Sequence, residues 1–256
     1  MNNTELSYNL NGQVALITAS SRGIGKACAL ALARAGADII LGLRDKASGQ
    51  ALADEIRAIG RDVLCIQMDV SKMSEIASGV QASFEHFKRI DILVNNAGIG
   101  EANLAENVTE KDFDDTLAVN LKGTFFVSQA VGRIMIKQKS GKIINISSQA
   151  GFIALSTESV YCMTKAAISH LTKCLALEWA RYNITVNAVA PTFVATPGTE
   201  LALADEKFRA WVKQSIPLGR IGDVSEVAAP VVFLASPAAS LITGATLMVD
   251  GGWTVQ

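Results

Sequence analysis

The 256-residue sequence predicts an α/β fold, a doubly wound parallel sheet with helices on both faces. Three observations carry that expectation. Short apolar runs alternate with amphipathic stretches of helical period, the pattern of parallel strands joined by helical crossovers. The strands read as continuous apolar runs, as expected where helices cover both faces of a sheet. The composition is 50% hydrophobic but only 6% aromatic, which suits aliphatic helices and buried strands better than an aromatic-rich sandwich.

In chain order, Val14 to Thr18 is strand-like and leads through Gly23-Ile24-Gly25 into an Ala-rich helix ending near Arg34 and Gly36. Asp38 to Leu43 is a second strand, and Leu52, Ile56 and Ile59 then recur at helical spacing until Gly60. Val63 to Gln67 is a third strand, followed by a helix marked by Ile76, Val80, Phe84 and Phe87. Ile92 to Val94 is a fourth, leading to one long helical region from Glu110 to Gln138. The runs Lys142 to Ile146, Thr185 to Val189 and Ala245 to Val249 supply the remaining strands. Helices are expected over Ser159–Arg181 and Ser225–Ala235, with a shorter piece at Asp205–Gln214. No linker, repeat or low-complexity segment intervenes, so residues 1–256 read as a single domain.

Composition excludes several functions. With 23 basic and 24 acidic side chains, the chain lacks the footprint of a nucleic-acid binder. Its length allows burial of roughly 70–75% of the unfolded surface, so no disulfide or metal staple is needed. The four cysteines (Cys28, Cys65, Cys162 and Cys174) show no metal-ligand spacing and are expected to be reduced core thiols. No metal site is expected. The most apolar tract, Val231 to Val249, is broken by Ser236, Pro237, Ser240 and Gly244 and is unsuited to spanning a membrane. Residues Met1 to Glu5 lack the basic and apolar regions of a secretory signal, so a soluble, cytoplasmic protein is expected.

Chemistry concentrates where strands end. After the first strand comes Thr18-Ala19-Ser20-Ser21-Arg22-Gly23-Ile24-Gly25, a glycine-bearing turn that opens a helix. Backbone N–H groups there approach a pyrophosphate closely, and the helix dipole favours its charge. A P-loop is the rival, because Gly25-Lys26 follows; however, Ser20 stands where the first glycine is required, and Ala27 offers no hydroxyl for magnesium. The end of the second strand lies beside the adenosine ribose in such folds. An acidic residue there selects NAD, but this chain has Leu43-Arg44, and Arg22 sits in the glycine loop. Two guanidinium groups match a 2′-phosphate, so NADP(H) is expected over NAD(H). The rival reading pairs Arg44 with Asp45 on the surface.

Tyr161 and Lys165 stand four residues apart, on one helical face. A phenol titrates near 10, and a neighbouring cation favours its ionised form. Ser148 follows the fifth strand, Asn95-Asn96-Ala97-Gly98 follows the fourth, and Asn120 lies within a helical stretch where a short amide has poor propensity.

With Asp69-Val70, Asn187, Pro191, Thr196 and Val249-Asp250-Gly251-Gly252, these motifs resemble the short-chain dehydrogenase/reductase family over essentially the whole chain. The resemblance extends to 3-oxoacyl carrier-protein reductases and to sugar and polyol dehydrogenases. It implies a Rossmann-like seven-stranded sheet, a nicotinamide cofactor and a homotetramer. It further implies Tyr161 as acid/base, Ser148 bonding the substrate oxygen, Lys165 lowering the Tyr161 pKa and holding the nicotinamide ribose, and Asn120 anchoring a water that links Lys165 to solvent. The cofactor would be met by Ser21, Arg22, Gly23, Ile24, Gly25, Arg44, Asp69, Val70, Asn95, Ala97, Gly98 and Pro191, with Val194 and Thr196 at the carboxamide.

Two residues depart from the family pattern. Ala19 replaces a glycine and adds only a methyl. Thr192 follows Pro191 where glycine is usual; a β-branched residue tolerates positive φ badly, so this loop is expected to take a different path. Substrate contacts are expected from loops carrying Gln149 and Glu158, with Glu158 accepting from a polyhydroxylated compound. Gly198 could hinge a lid bearing Leu201, Phe208 and Trp211. The loops show no basic cluster to dock an acidic carrier protein, which favours a small polar hydroxy or keto compound over an acyl carrier. A non-catalytic NADP-sensing module is the alternative from another class.

Overall fold

The computed structural model describes residues 7–255, so the reading of Met1 to Glu5 lies outside the described residues. In chain order the elements are β1 (Val14–Thr18), α1 (Gly23–Arg34), β2 (Asp38–Leu43), α2 (Gln50–Ala58), β3 (Val63–Gln67) and α3 (Met73–Phe87). Next come β4 (Ile92–Asn95), α4 (Glu110–Leu117), α5 (Thr124–Gln138), β5 (Gly141–Ile146), α6 (Ser159–Trp179) and β6 (Ile184–Pro191). The last are α7 (Glu200–Ala204), α8 (Glu206–Ser215), α9 (Val224–Ala235) and β7 (Thr246–Val249).

All strand pairs are parallel, in one seven-stranded sheet of order β3-β2-β1-β4-β5-β6-β7. The Rossmann-like α/β architecture is therefore as expected. Alternate residues of each strand face opposite layers. Ala15 and Ile17 of β1 pack in the layer of α1, α2 and α9, whereas Val14 and Leu16 pack with α3, α5 and α6. Ala29 and Ala33 of α1 let α9 approach through Val227, Ala228 and Val231. Extra methylenes at such a seam typically cost about 1–3 kcal/mol.

The helix expected over Glu110–Gln138 is interrupted. Between α4 and α5 the backbone widens into a π turn, Ala118–Gly123, which contains Asn120. Its physical reason is the Asn120 amide, which braces the loop after β4: Oδ1 accepts from the Ile99 N–H at 2.8 Å, and Nδ2 donates to the Ile99 carbonyl at 2.8 Å. The polar stretch before α9 holds two short helices rather than one, and α9 starts on a capping box formed by Asp223 and Glu226. The cysteines are all free; Cys28 is buried, but Cys174 is exposed, correcting its assignment to the core. Among the described residues, no helix is long and apolar enough to cross a membrane, and no cluster could hold a metal ion.

Candidate active site

Strand order reverses between β1 and β4, so their following loops diverge and leave a crevice at the carboxyl edge of the sheet. One wall is the loop into α1. Arg22 at its N-cap gives no side-chain cap, and the first turn holds no acidic residue, so the leading N–H groups face outward without a competing anion. The loop is clamped from β4: Asn96 Nδ2 donates to the carbonyls of Thr18 and Ala19, both at 3.1 Å, and Thr18 Oγ1 accepts from Asn96 and Ala97 N–H groups at 2.9 and 3.0 Å. A methyl on Gly25 would stand 2.5 Å from the Ala19 carbonyl oxygen, so this turn admits no side chain there.

The strain expected at Thr192 lies elsewhere. Thr192 does not take positive φ, whereas Ala19 does, at 51°. The methyl of Ala19 is therefore not neutral, because a left-handed conformation costs a non-glycine residue roughly 1–2 kcal/mol.

Leu43 is buried at the end of β2, and the residue that follows it is Arg44 and not an acid. Arg22 and Arg44 are exposed, and neither belongs to an ion pair among the described residues. The rival pairing with Asp45 is not seen; that carboxylate instead accepts from the Ala47 N–H at 3.0 Å. Ser21, Gly23 and Ile24 lie with Arg22 on the loop, and Asp69 and Val70 follow β3. The Asp69 carboxylate accepts from Ser71 N–H and Oγ at 3.0 and 2.7 Å, and Val70 is buried against Gly123.

Asn95 departs from expectation. Its side-chain amide is spent within the fold, donating to Ser128 Oγ at 2.8 Å and Asn145 Oδ1 at 2.9 Å, which leaves only its backbone at the end of β4 to meet a ligand. Pro191 and Val194 are buried, and the Val194 carbonyl already accepts from Thr199 Oγ1 at 2.6 Å. Thr196 closes toward the glycine loop: a methyl on Gly23 would meet its Cβ at 3.5 Å. Uncapped amides, a cradle closed to side chains and two exposed guanidinium groups together fit a pyridine dinucleotide.

The second wall brings Ser148, Tyr161 and Lys165 together with Asn120. Ser148 opens the loop after β5, and its Oγ accepts from the Ala150 N–H at 3.1 Å and bonds the Tyr161 hydroxyl. Lys165 is buried one turn further along α6, donating to the Ile146 carbonyl at 2.9 Å with Nζ 5.4 Å from the Tyr161 ring centroid. Thr164, beside it, accepts from Asn120 Nδ2 at 3.0 Å. The Asn120 amide thus braces α6 and the Ile99 backbone at once. Gly98 makes room: a methyl there would lie 3.3 Å from Lys165 Nζ.

Electrostatics differ from the sequence expectation. Burial pushes the Tyr161 hydroxyl up to about 12, opposed by its bond with Ser148 and reinforced by nearby Glu158. Burial pushes the Lys165 ammonium down to about 8. The cation does not overcome the desolvation of the phenol, because it stands over the ring and spends a proton on a carbonyl.

Gln149 is buried at 2% exposure and accepts from Ser148 Oγ at 2.9 Å, so it positions the serine instead of presenting a free group to substrate. Glu158 does reach the mouth, half-buried against Gly100 and Tyr161. Phe208 and Trp211 of α8 join Phe193 and the buried Trp253 in an aromatic cluster, while Leu201 of α7 is 88% exposed.

A family model described as enoyl-(acyl carrier protein) reductase matches residues 18–254. The chain belongs to the short-chain dehydrogenase/reductase family. It is 41% identical over 249 residues to an NAD-dependent glycerol dehydrogenase of Listeria innocua, covering 97% of this chain and 96% of that protein. It is also 42% identical over 245 residues to a 3-oxoacyl-[acyl-carrier-protein] reductase of Synechocystis, covering 95% and 97%. Among solved structures, a gluconate 5-dehydrogenase from Burkholderia cenocepacia in complex with NADP and tartrate superposes with a TM-score of 0.95 at 38% identity, covering 98% of each chain. The chain is accordingly an oxidoreductase of CH–OH groups that uses a pyridine nucleotide.

In this short-chain dehydrogenase/reductase, sequence reasoning left two site residues without a role. Thr18 and the Asn96 side chain hold the glycine loop to β4. The available signal was a hydroxyl residue ending an apolar strand and an amide just past another, both at strand ends where a buried polar group needs a partner.

Proposed function

We infer that this enzyme interconverts a secondary alcohol and a carbonyl on a small polar compound such as a sugar or polyol, preferring NADP(H), with Tyr161 as acid/base. The observation that carries the reading is the Ser148–Tyr161–Lys165 cluster facing the crevice beside the glycine loop. Bound nicotinamide would supply or accept the hydride. Held near 12, Tyr161 is a protonated phenol at neutral pH, the form that donates to a carbonyl oxygen during reduction. Oxidation runs the proton the other way and gains from higher pH. Ser148 shares the substrate oxygen, Lys165 holds the ribose side of the cofactor, and Asn120 keeps both helix and loop in register. The exposed guanidinium groups of Arg22 and Arg44 favour the 2′-phosphate. The reading extends to a single-domain, cytoplasmic homotetramer.

Carrier-protein reduction is a second reading, favoured by the 42% identity to a 3-oxoacyl reductase. It is disfavoured by the lack of basic residues in the loops at the mouth. The deciding experiment is a panel of alcohols and carbonyls, acyl carrier protein included, followed by nicotinamide absorbance with each cofactor. Turnover of small alcohols with NADP supports the inference. Cofactor binding without any turnover would leave only a dinucleotide-sensing module, and turnover of the acyl carrier alone would favour the second reading.

A further inference from the structure

We propose that Glu158, with Glu101 behind it, makes the substrate cleft selective for uncharged polyhydroxyl compounds and against those carrying a carboxylate. The proposal rests on the oxidoreductase reading and narrows its substrate class. Glu158 occupies the turn before α6, and Tyr161 lies one helical turn beyond it. A methyl on Gly100 would meet Glu158 Oε2 at 3.3 Å and Tyr161 Cδ2 at 3.1 Å, so carboxylate and phenol flank one strip of backbone. That glycine lets the loop lie flat against both.

Among the described residues, Glu158 has neither an ion pair nor a side-chain hydrogen bond, although it is half-buried. An unpartnered carboxylate in such a place is costly unless donors arrive from outside the protein. Adjacent hydroxyls of a polyol supply such donors. Its placement is enforced: Thr157, the residue before it, takes φ of 68° despite being β-branched, and its carbonyl accepts from the Asn103 N–H at 2.8 Å. This bond ties the loop of Glu101 to the loop of Glu158. The two carboxylates are close enough that Glu101 adds to burial in raising the Glu158 carboxyl above its usual value.

The surroundings offer an anion no compensation. The loop stretches 97–109, 147–164 and 192–206 carry six acidic side chains and no lysine or arginine. The nearby cations are committed, Lys111 to Asp115 and Lys165 to the Ile146 carbonyl within the reaction centre. A carboxylate on the substrate would therefore be repelled by half-buried Glu158 and, more weakly, by exposed Glu101, a repulsion that added salt screens in part.

The test compares galactitol, threitol and glycerol with gluconate and other aldonic acids, using NADP in the wild type, Glu158→Gln and Glu101→Gln. Wild-type kcat/KM should favour the best polyol over the best acid by at least about tenfold. Glu158→Gln should raise kcat/KM for acids about tenfold through KM, moving polyols less than about threefold. The exposed Glu101→Gln should give a smaller change of the same sign, and high salt should weaken the wild-type discrimination. Matching thermal unfolding curves exclude a folding defect; if Glu158→Gln is unstable, Glu101→Gln and the salt series decide. An acid as the best wild-type substrate, or substitutions that scale both classes equally, would overturn the proposal and leave the oxidoreductase reading standing. No turnover of either class with NADPH still bound would defeat both.

Discussion

The crevice has two ends built on opposite plans. At the cofactor end, recognition falls to backbone: uncapped amides at the start of α1, glycines where Cβ atoms would collide, and two exposed arginines. At the substrate end it falls to side chains on long loops of acidic character. Each end holds a non-glycine residue at positive φ, Ala19 in the first and Thr157 in the second. The difference teaches that a shared ligand is met by main-chain geometry a fold repeats, whereas a distinguishing ligand is met by groups a loop can exchange.

The contrast is broken most severely at its seam. Tyr161→Phe should lower kcat by about a hundred- to ten-thousand-fold while NADPH binding, read by fluorescence, stays near the wild-type value. Loss of both together would mean that the two ends do not act separately. Next in size is Arg44→Leu, which removes a charge-assisted contact and should weaken NADP about ten- to a hundredfold with little change for NAD. Equal affinity of the wild type for both cofactors would refute the two-arginine argument.

Lys165 sharpens the comparison through pH. Its folded-state value, about 8, lies below the ordinary 10.5, so the unfolded chain binds the extra proton between those values. Stability from this group therefore rises with pH across that window, and the burial penalty is fully present below it. Urea unfolding at pH values across the window should show the rise, and Lys165→Met should abolish it. An unchanged slope in the variant would assign the effect elsewhere.

The smallest effects concern strain. Ala19→Gly should stabilise the protein by about 1 kcal/mol, read as a rise of a few degrees in Tm, without raising KM for NADP. Thr157→Gly should stabilise similarly but raise KM for substrate, because Glu158 loses its fixed approach. Equal kinetic consequences at both positions would remove the distinction between the two ends.

Much of the cofactor end was legible in the sequence, since Gly23, Gly25 and the lack of an acid after Leu43 act through local backbone and local charge. The strand and helix pattern was legible for the same reason: burial repeats with the period of the element. Less was legible where a residue's partner is distant in sequence. The Asn95 side chain bonds Asn145; Asn120, expected to anchor a water beside Lys165, also braces Ile99; and the Gln149 side chain accepts from Ser148. The Tyr161 hydroxyl illustrates the same limit energetically, as the four-residue spacing to Lys165 names the neighbour while the surrounding atoms decide which influence prevails.

The amino-acid sequence by itself determined the α/β layering, the glycine turn, the pairing of Tyr161 with Lys165 and the charge of each loop, because these depend on residues a few positions apart. Only the tertiary structure decided which φ angles are strained, where the amides of Asn95, Asn96 and Asn120 are spent, and that Glu158 flanks Gly100 together with Tyr161, within electrostatic reach of Glu101. Those outcomes follow from burial and hydrogen-bond satisfaction between segments far apart in the chain, which become neighbours only when the sheet assembles.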